Sequence, residues 1–171
     1  MLSIDELDVE LLKLLERDAR QGVASLSTTL GISRNTVQSR IRRLEEGGLI
    51  AGYRPQIDLA QAGLVVQALL ALETEQGSLT RIAREVTEIP QVIEVHTVTG
   101  REDLLVRVAT ATQPELLELI ETIVGYPGVI HSTTWLTLTE PLPRRAVPAL
   151  AELAKGTGWG RSTPPRAGGG G

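Results

Sequence analysis

The chain has no cysteine, no phenylalanine, two tryptophans and two tyrosines among its 171 residues. Without thiols there is no disulfide framework and no thiolate metal site. With aromatics at 2%, Leu, Val, Ile and Ala must fill the interior, and few rings remain on which single-stranded bases can stack. No apolar run approaches the roughly 18 residues that a membrane span needs. The N-terminus lacks the basic, apolar and small-residue order of a secretory leader. Nor is there a Ser/His/Asp set, a metal-ligand cluster or a glycine-rich phosphate loop. These absences lead to the expectation of a soluble, cytoplasmic chain with no cofactor, no metal and no membrane partner.

What is present is an uneven distribution of charge. The total is -4, with eight Lys+Arg against nine acids in residues 1–60, four against eleven in 61–143, and five against one in 144–171. An acidic body repels DNA, so duplex affinity must come from clustered cations that displace condensed counterions. Such a cluster exists in SRNTVQSRIRRLEE, Ser33 to Glu46, which carries four arginines and no acid before Glu45.

The apolar period around this cluster is helical. Leu7, Leu11, Leu14 and Leu15 predict a first helix, with Asp5 as its cap and Asp8 in its first turn, ending near Ala19. Leu26 and Leu30 mark a shorter second helix from Ser25 to Leu30, and Gly31 permits the left-handed turn that follows. Ser33 is placed to cap a third helix whose buried stripe is Val37, Ile41 and Leu44 and whose end is Gly47-Gly48. Three helices with a glycine-centred turn match the helix-turn-helix pattern, in which the last helix enters the major groove of double-stranded DNA.

At roughly 100° per residue, Asn35, Ser39 and Arg42 lie opposite the buried stripe, with Thr36, Gln38 and Arg43 on its flanks. Asn and Gln suit base edges, while Arg and Ser/Thr suit phosphates. The DNA-contact set is therefore Ser33, Arg34, Asn35, Thr36, Gln38, Ser39, Arg42 and Arg43. Arg40 lies nearer the stripe and has two readings, a pair with an acid of the first helix or a contact to DNA.

Downstream the period changes. Residues 51–63 alternate loosely around Pro55, which restricts any strand there to an edge or linker. Strands are predicted at Leu64 to Glu73, Gln91 to Thr99, Asp103 to Ala109 and Val129 to Thr139, and helices at Ser78 to Glu88 and Pro114 to Val124. The order βαββαβ is ferredoxin-like. Leu70, Leu72, Val106, Val108, Leu136 and Leu138 exceed what two short helices are expected to cover, which predicts sheet-on-sheet pairing. One more amphipathic helix is predicted from Arg144 to Lys155. Residues 156–171, rich in glycine and proline, are expected to be a disordered basic tail, with weak DNA contact as its other reading.

The fold class is thus α+β, a winged-type helix-turn-helix domain (1–50), a linker strand (51–63), a ferredoxin-like effector and oligomerisation domain (64–140), a C-terminal helix (141–155) and a tail (156–171). The strings DELDVELLKLLERDAR, LGISRNTVQSRIRRLEEGGLIAGY and VTGREDLLVRV resemble the Lrp/AsnC, or feast/famine, family of transcription regulators. That resemblance implies a homodimer formed through the second domain, often assembled into octamers, with a small effector, usually an amino acid, bound between subunits. In the family the turn between the second and third strands of this domain reads TG-acid-aromatic-D. Here it is Thr99, Gly100, Arg101, Glu102 and Asp103, so three positions match, Arg101 replaces an acid and Glu102 a tyrosine. These residues, with the hydroxyls of Ser132 and Thr134, form the implied effector site; a plain hairpin turn beside ordinary strand residues is the alternative.

The rival function is an enzyme on the same architecture, since siroheme decarboxylases resemble this family and use histidine chemistry. His96 and His131 are the chain's two histidines, and the ferredoxin-like strand order places them on opposite edges of the sheet. That spacing disfavours a shared catalytic site within one subunit.

Overall fold

Asp5 starts the first helix by a reciprocal cap. Its Oδ1 accepts from the Asp8 amide at 2.9 Å, and Asp8 Oδ2 accepts from the Asp5 amide at 3.0 Å, which satisfies two orphan donors at once. In the computed structural model, which describes residues 2–160, the elements run α1 (Glu6–Arg17), α2 (Val23–Leu30), α3 (Arg34–Glu46), β1 (Val66–Thr74), α4 (Leu79–Thr87), β2 (Val92–Thr97), β3 (Leu104–Thr110), α5 (Gln113–Val124), β4 (Val129–Leu136) and α6 (Val147–Ala154). They divide into two units, residues up to 55 together with those from 143, and residues 56–142.

In the first unit Gly31 closes α2 in the left-handed conformation, φ 66°, and Ser33 Oγ caps α3 by accepting from the Thr36 amide at 3.1 Å. Leu7, Leu11, Leu26, Val37 and Leu44 are wholly buried between the three helices. Each buried leucine contributes about 1.5–3 kcal/mol. The α6 helix, with Pro in its first turn, lies against α1 through Val147, Ala154 and Val9.

The second unit is one antiparallel sheet of order β2-β3-β1-β4, which puts His96 and His131 on opposite edge strands. Leu70 pairs with Val106 on one side and Thr134 on the other. Side chains alternate across a strand, so Ala68, Leu70, Leu72, Leu104, Val106 and Val108 share one face, packed on Ile82 and Val86 of α4 and Leu116, Leu119 and Ile123 of α5.

Three expectations need correction. Of the six apolar residues expected to exceed the helices' cover, Leu70, Leu72, Val106 and Val108 have no exposed surface, because they form a single face of three residues' length under α4 and α5, whereas Leu136 and Leu138 do stay exposed. The face without helices is the alternate set, in which Leu69 pairs with Arg107 and Trp135 while Ala71 pairs with Leu105 and Thr133, and on it Trp135 is half exposed. The linker strand over 51–63 does not form. Pro55 offers no amide donor, and the segment closes into turns instead, with Ala62 N donating to Asp58 O and Leu64 N to Leu59 O. Finally, 156–160 are ordered on the first unit, where the partly buried Trp159 packs against its core and hydrogen bonds tie Gly156 and Gly158 to Glu6 and the Trp159 carbonyl to Arg40, so that packing and bonds together oppose the entropy of fixing the segment. The rest of the expected tail, 161–171, lies outside the described residues.

Candidate nucleic-acid interface and effector turn

The α3 helix is held by two of its arginines, Arg40 and Arg43, and its other side is exposed. Arg40 Nη1 donates to Asp5 Oδ1 at 2.7 Å and to Asp8 Oδ1 at 2.8 Å, and its Nη2 donates to the Trp159 carbonyl at 3.2 Å. Arg43 donates to the other oxygen of Asp8 and, at 2.7 Å, to the Ser3 carbonyl. Asp8 has no exposed surface. Burial pushes its carboxyl up, but hydrogen bonds from Arg43, the Asp5 amide and Arg40 outweigh that and hold it below the ordinary carboxylate value. Burial likewise works against the charge of Arg40, and Asp5 and Asp8 more than restore it.

Of the two readings of Arg40, the pair with α1 is the one formed. Arg43, expected to face phosphate, spends its guanidinium on Asp8 while keeping a side chain 41% exposed. Ser33 and Thr36 engage each other, Oγ to Oγ1 at 2.8 Å. That leaves Arg34, Asn35, Gln38, Ser39 and Arg42 exposed along one side of α3. None of these five side chains hydrogen-bonds to another described residue. Asn35, Thr36 and Ser39, with Ser3, Asp5 and Gly160, also border a shallow hollow of about 900 Å³. At the exit of α3, Tyr53 donates to Glu45 at 2.9 Å, and burial together with that acid raises its phenol above the ordinary value.

The turn of 99–103 joins β2 to β3. Gly100 has φ 142°, a backbone setting that favours glycine. Asp103 is already engaged: its Oδ2 accepts from the Thr74 amide at 2.7 Å and from Thr74 Oγ1 at 2.9 Å, and its own amide donates to the Leu72 carbonyl. Arg101 Nε lies 3.5 Å from Glu73 Oε2, and Glu102 is half-buried. Ser132 pairs with Leu72 and Thr134 with Leu70, so β1 separates both from β3 and they face the helix side. Within one subunit the structure brings Thr99 to Asp103 together and leaves Ser132 and Thr134 a strand away.

Thr74 and Trp159 were missed in the sequence. The first is 29 residues from its partner Asp103, beyond any local pattern; the second carried one signal, an isolated indole in a glycine-rich stretch.

Comparison with known proteins gives a consistent picture. Residues 4–45 match the AsnC-type helix-turn-helix domain, and residues 67–147 match the Lrp/AsnC ligand binding domain. The chain is 32% identical to an HTH-type transcriptional regulator of Pyrococcus furiosus over 81% of its own length and 97% of the relative's. It is 28% identical to the HTH-type transcriptional regulator FL11 of Pyrococcus horikoshii, over 79% and 89%. Among solved structures, Escherichia coli AsnC superposes with a TM-score of 0.79 at 23% identity, covering 86% of this chain and all of that one. A transcriptional regulator of Neisseria meningitidis, solved as a complex with L-Met, superposes with a TM-score of 0.75 at 20% identity, covering 82% and 94%. Those last two likenesses establish the fold; the matched families and relatives are DNA-binding regulators rather than enzymes.

Proposed function

The chain belongs to the Lrp/AsnC family of DNA-binding transcriptional regulators, and from that premise we propose that the exposed side of α3 reads its operator. The carrying observation is the division of labour on that helix. Arg40 and Arg43 are spent on Asp5 and Asp8, whereas Asn35, Gln38 and Arg42 stay exposed. Asn35 and Gln38 take base edges, and Arg34, Ser39 and Arg42 take phosphates. The test is an electrophoretic shift with duplex DNA from upstream of the protein's own gene; failure of the chain to shift that DNA more tightly than random duplex overturns the reading.

The regulator works in the cytoplasm as a homodimer, joined through the sheet face that bears Leu69, Ala71, Leu105 and Trp135. Half of the Trp135 surface is exposed in the single chain, and that apolar strip is what favours a second copy as its cover. A small zwitterion such as an amino acid binds between subunits at the turn of 99–103. Gly100 and the turn amides suit its carboxylate, and Asp103 retains one oxygen for its ammonium. Arg101, in place of an acid, suits an effector with an additional acidic group. Calorimetric titration with a panel of amino acids decides whether this turn is a site: no binding at millimolar levels reduces it to a hairpin.

A further inference from the structure

Little apolar surface holds α3 in place. Of its 13 residues only Val37 and Leu44 are buried, and Arg40 stands between them, three positions after the first and four before the second, on the same side of the helix. The middle of the buried stripe is thus a guanidinium, whose hydrogen bonds fix the roll of the helix about its own axis. One arm is taken by α1: Nη1 donates to both oxygens of Asp5, at 2.7 and 2.8 Å, and to Asp8 Oδ1 at 2.8 Å. The other arm, Nη2, donates to the backbone carbonyl of Trp159 at 3.2 Å, an acceptor that stands there only while 156–160 are docked.

That docking is built from several contacts. The Glu6 amide donates to the Gly158 carbonyl at 3.0 Å and to Thr157 Oγ1 at 3.2 Å, and the Gly156 amide donates to Glu6 Oε1 at 2.8 Å. The partly buried Trp159 packs against the core of α1, α2 and α3. Gly160 has φ 60°, and a Cβ there would stand 2.8 Å from Asp5 Oδ2 and 3.2 Å from Arg40 Nη2, so the backbone lies directly on the ion pair. Residues 148–160 belong to neither matched domain.

We propose that 156–160 form a positioning clasp for operator reading: through Arg40 they fix the roll of α3, and with it the aim of Asn35 and Gln38 at base edges. This rests on α3 being the reading helix. Base-edge hydrogen bonds need their groups held within about 0.5 Å, whereas the attraction of long arginines to phosphate is independent of sequence and tolerates more movement. Losing the clasp leaves a buried donor of Arg40 unpaired and frees α3 to roll, while the exposed Arg34 and Arg42 still reach phosphate. The signature is a loss of operator preference with nonspecific affinity kept, which lowered stability alone does not produce.

The test uses the full chain. W159A removes the ring that seats the clasp, W159F puts a smaller ring back, and G160A sets a methyl group against Asp5 and Arg40 without touching the indole. Affinities for operator and random duplex are measured over a range of salt, well below the unfolding midpoint, with helicity checked by circular dichroism. For W159A and G160A we expect operator preference to fall on the order of tenfold, about what one bidentate base contact supplies, with the parent's salt slope and random-duplex affinity; W159F keeps the preference. If W159A does not fold, G160A carries the test. The double variant N35A/Q38A is measured in parallel. Unchanged preference in the clasp variants, with N35A/Q38A impaired, overturns the clasp and leaves the reading helix standing. Equal weakening on both duplexes also overturns it, because that is loss of folded protein and not of aim. Unchanged preference in every variant, N35A/Q38A included, overturns both.

Discussion

Arg40 on the recognition helix and Asp8 on α1 form a salt bridge of 2.8 Å in which the carboxylate is fully buried and the guanidinium is 14% exposed. The same Asp8 caps α1, so the orientation of the reading helix and the start of α1 are set by one side chain.

Replacing Arg40 by methionine should therefore destabilise the first unit by on the order of 3 kcal/mol, since it removes one partner of a buried charge pair. Urea unfolding followed by Trp159 fluorescence measures this. A midpoint equal to that of the unaltered chain would show the pair to be dispensable.

Acid should act through the same carboxylate. Because the folded state holds Asp8 below its ordinary value of 3.8, its contribution is complete above that value and is lost as pH falls through the depressed one. The first unit should keep a flat unfolding midpoint between pH 5 and 7 where Asp8 is concerned, and D8N should remove part of the acid-induced loss below about pH 4. A D8N variant with the same acid sensitivity as the parent would contradict this.

On DNA the two neighbouring arginines should separate. Arg42→Ala should weaken binding to every duplex and flatten the salt slope by about one unit with the fold untouched. Arg43→Ala should also lower the unfolding midpoint, because it strips a donor from Asp8. Asn35→Ala or Gln38→Ala should cost about 1–3 kcal/mol of operator preference where the residue meets a base edge. Filter binding with operator and random duplexes distinguishes these patterns.

How legible this was in the sequence depended on periodicity. The stripe of Val37, Ile41 and Leu44 recurs at helical spacing and is amphipathic, so α3 and its outward side followed from residue order. The strands of 66–136 were equally legible as strands, but a period of two says only that neighbours face opposite ways. It does not say which set the helices cover; that is decided by the packing of α4 and α5 on Leu70 and Val106, which no local pattern carries. Asp103 was legible as a turn residue, while its bond to Thr74 was not, since sheet neighbours are chosen by topology. Trp159 was hidden by its surroundings: composition averages over a segment, whereas docking needs only one large ring.

Dimerisation should depend on the open sheet face. A polypeptide of residues 56–142 should scatter light as at least a dimer at micromolar concentration, and Trp135→Glu or Leu69→Arg in the full chain should dissociate it. A monomeric parent under those conditions would remove the sheet face as the interface.

The bond between the Gly156 amide and the Glu6 carboxylate joins positions 150 residues apart, with the whole sheet unit made between them. At a ribosomal rate of about 5–20 residues per second, α1 emerges many seconds before the segment that ties down its first turn and packs Trp159 against its core. The sheet unit has all of its strands first. A nascent chain thus has every strand of its sheet before its helix-turn-helix unit is closed, so the two units are completed in the reverse of the order in which they begin.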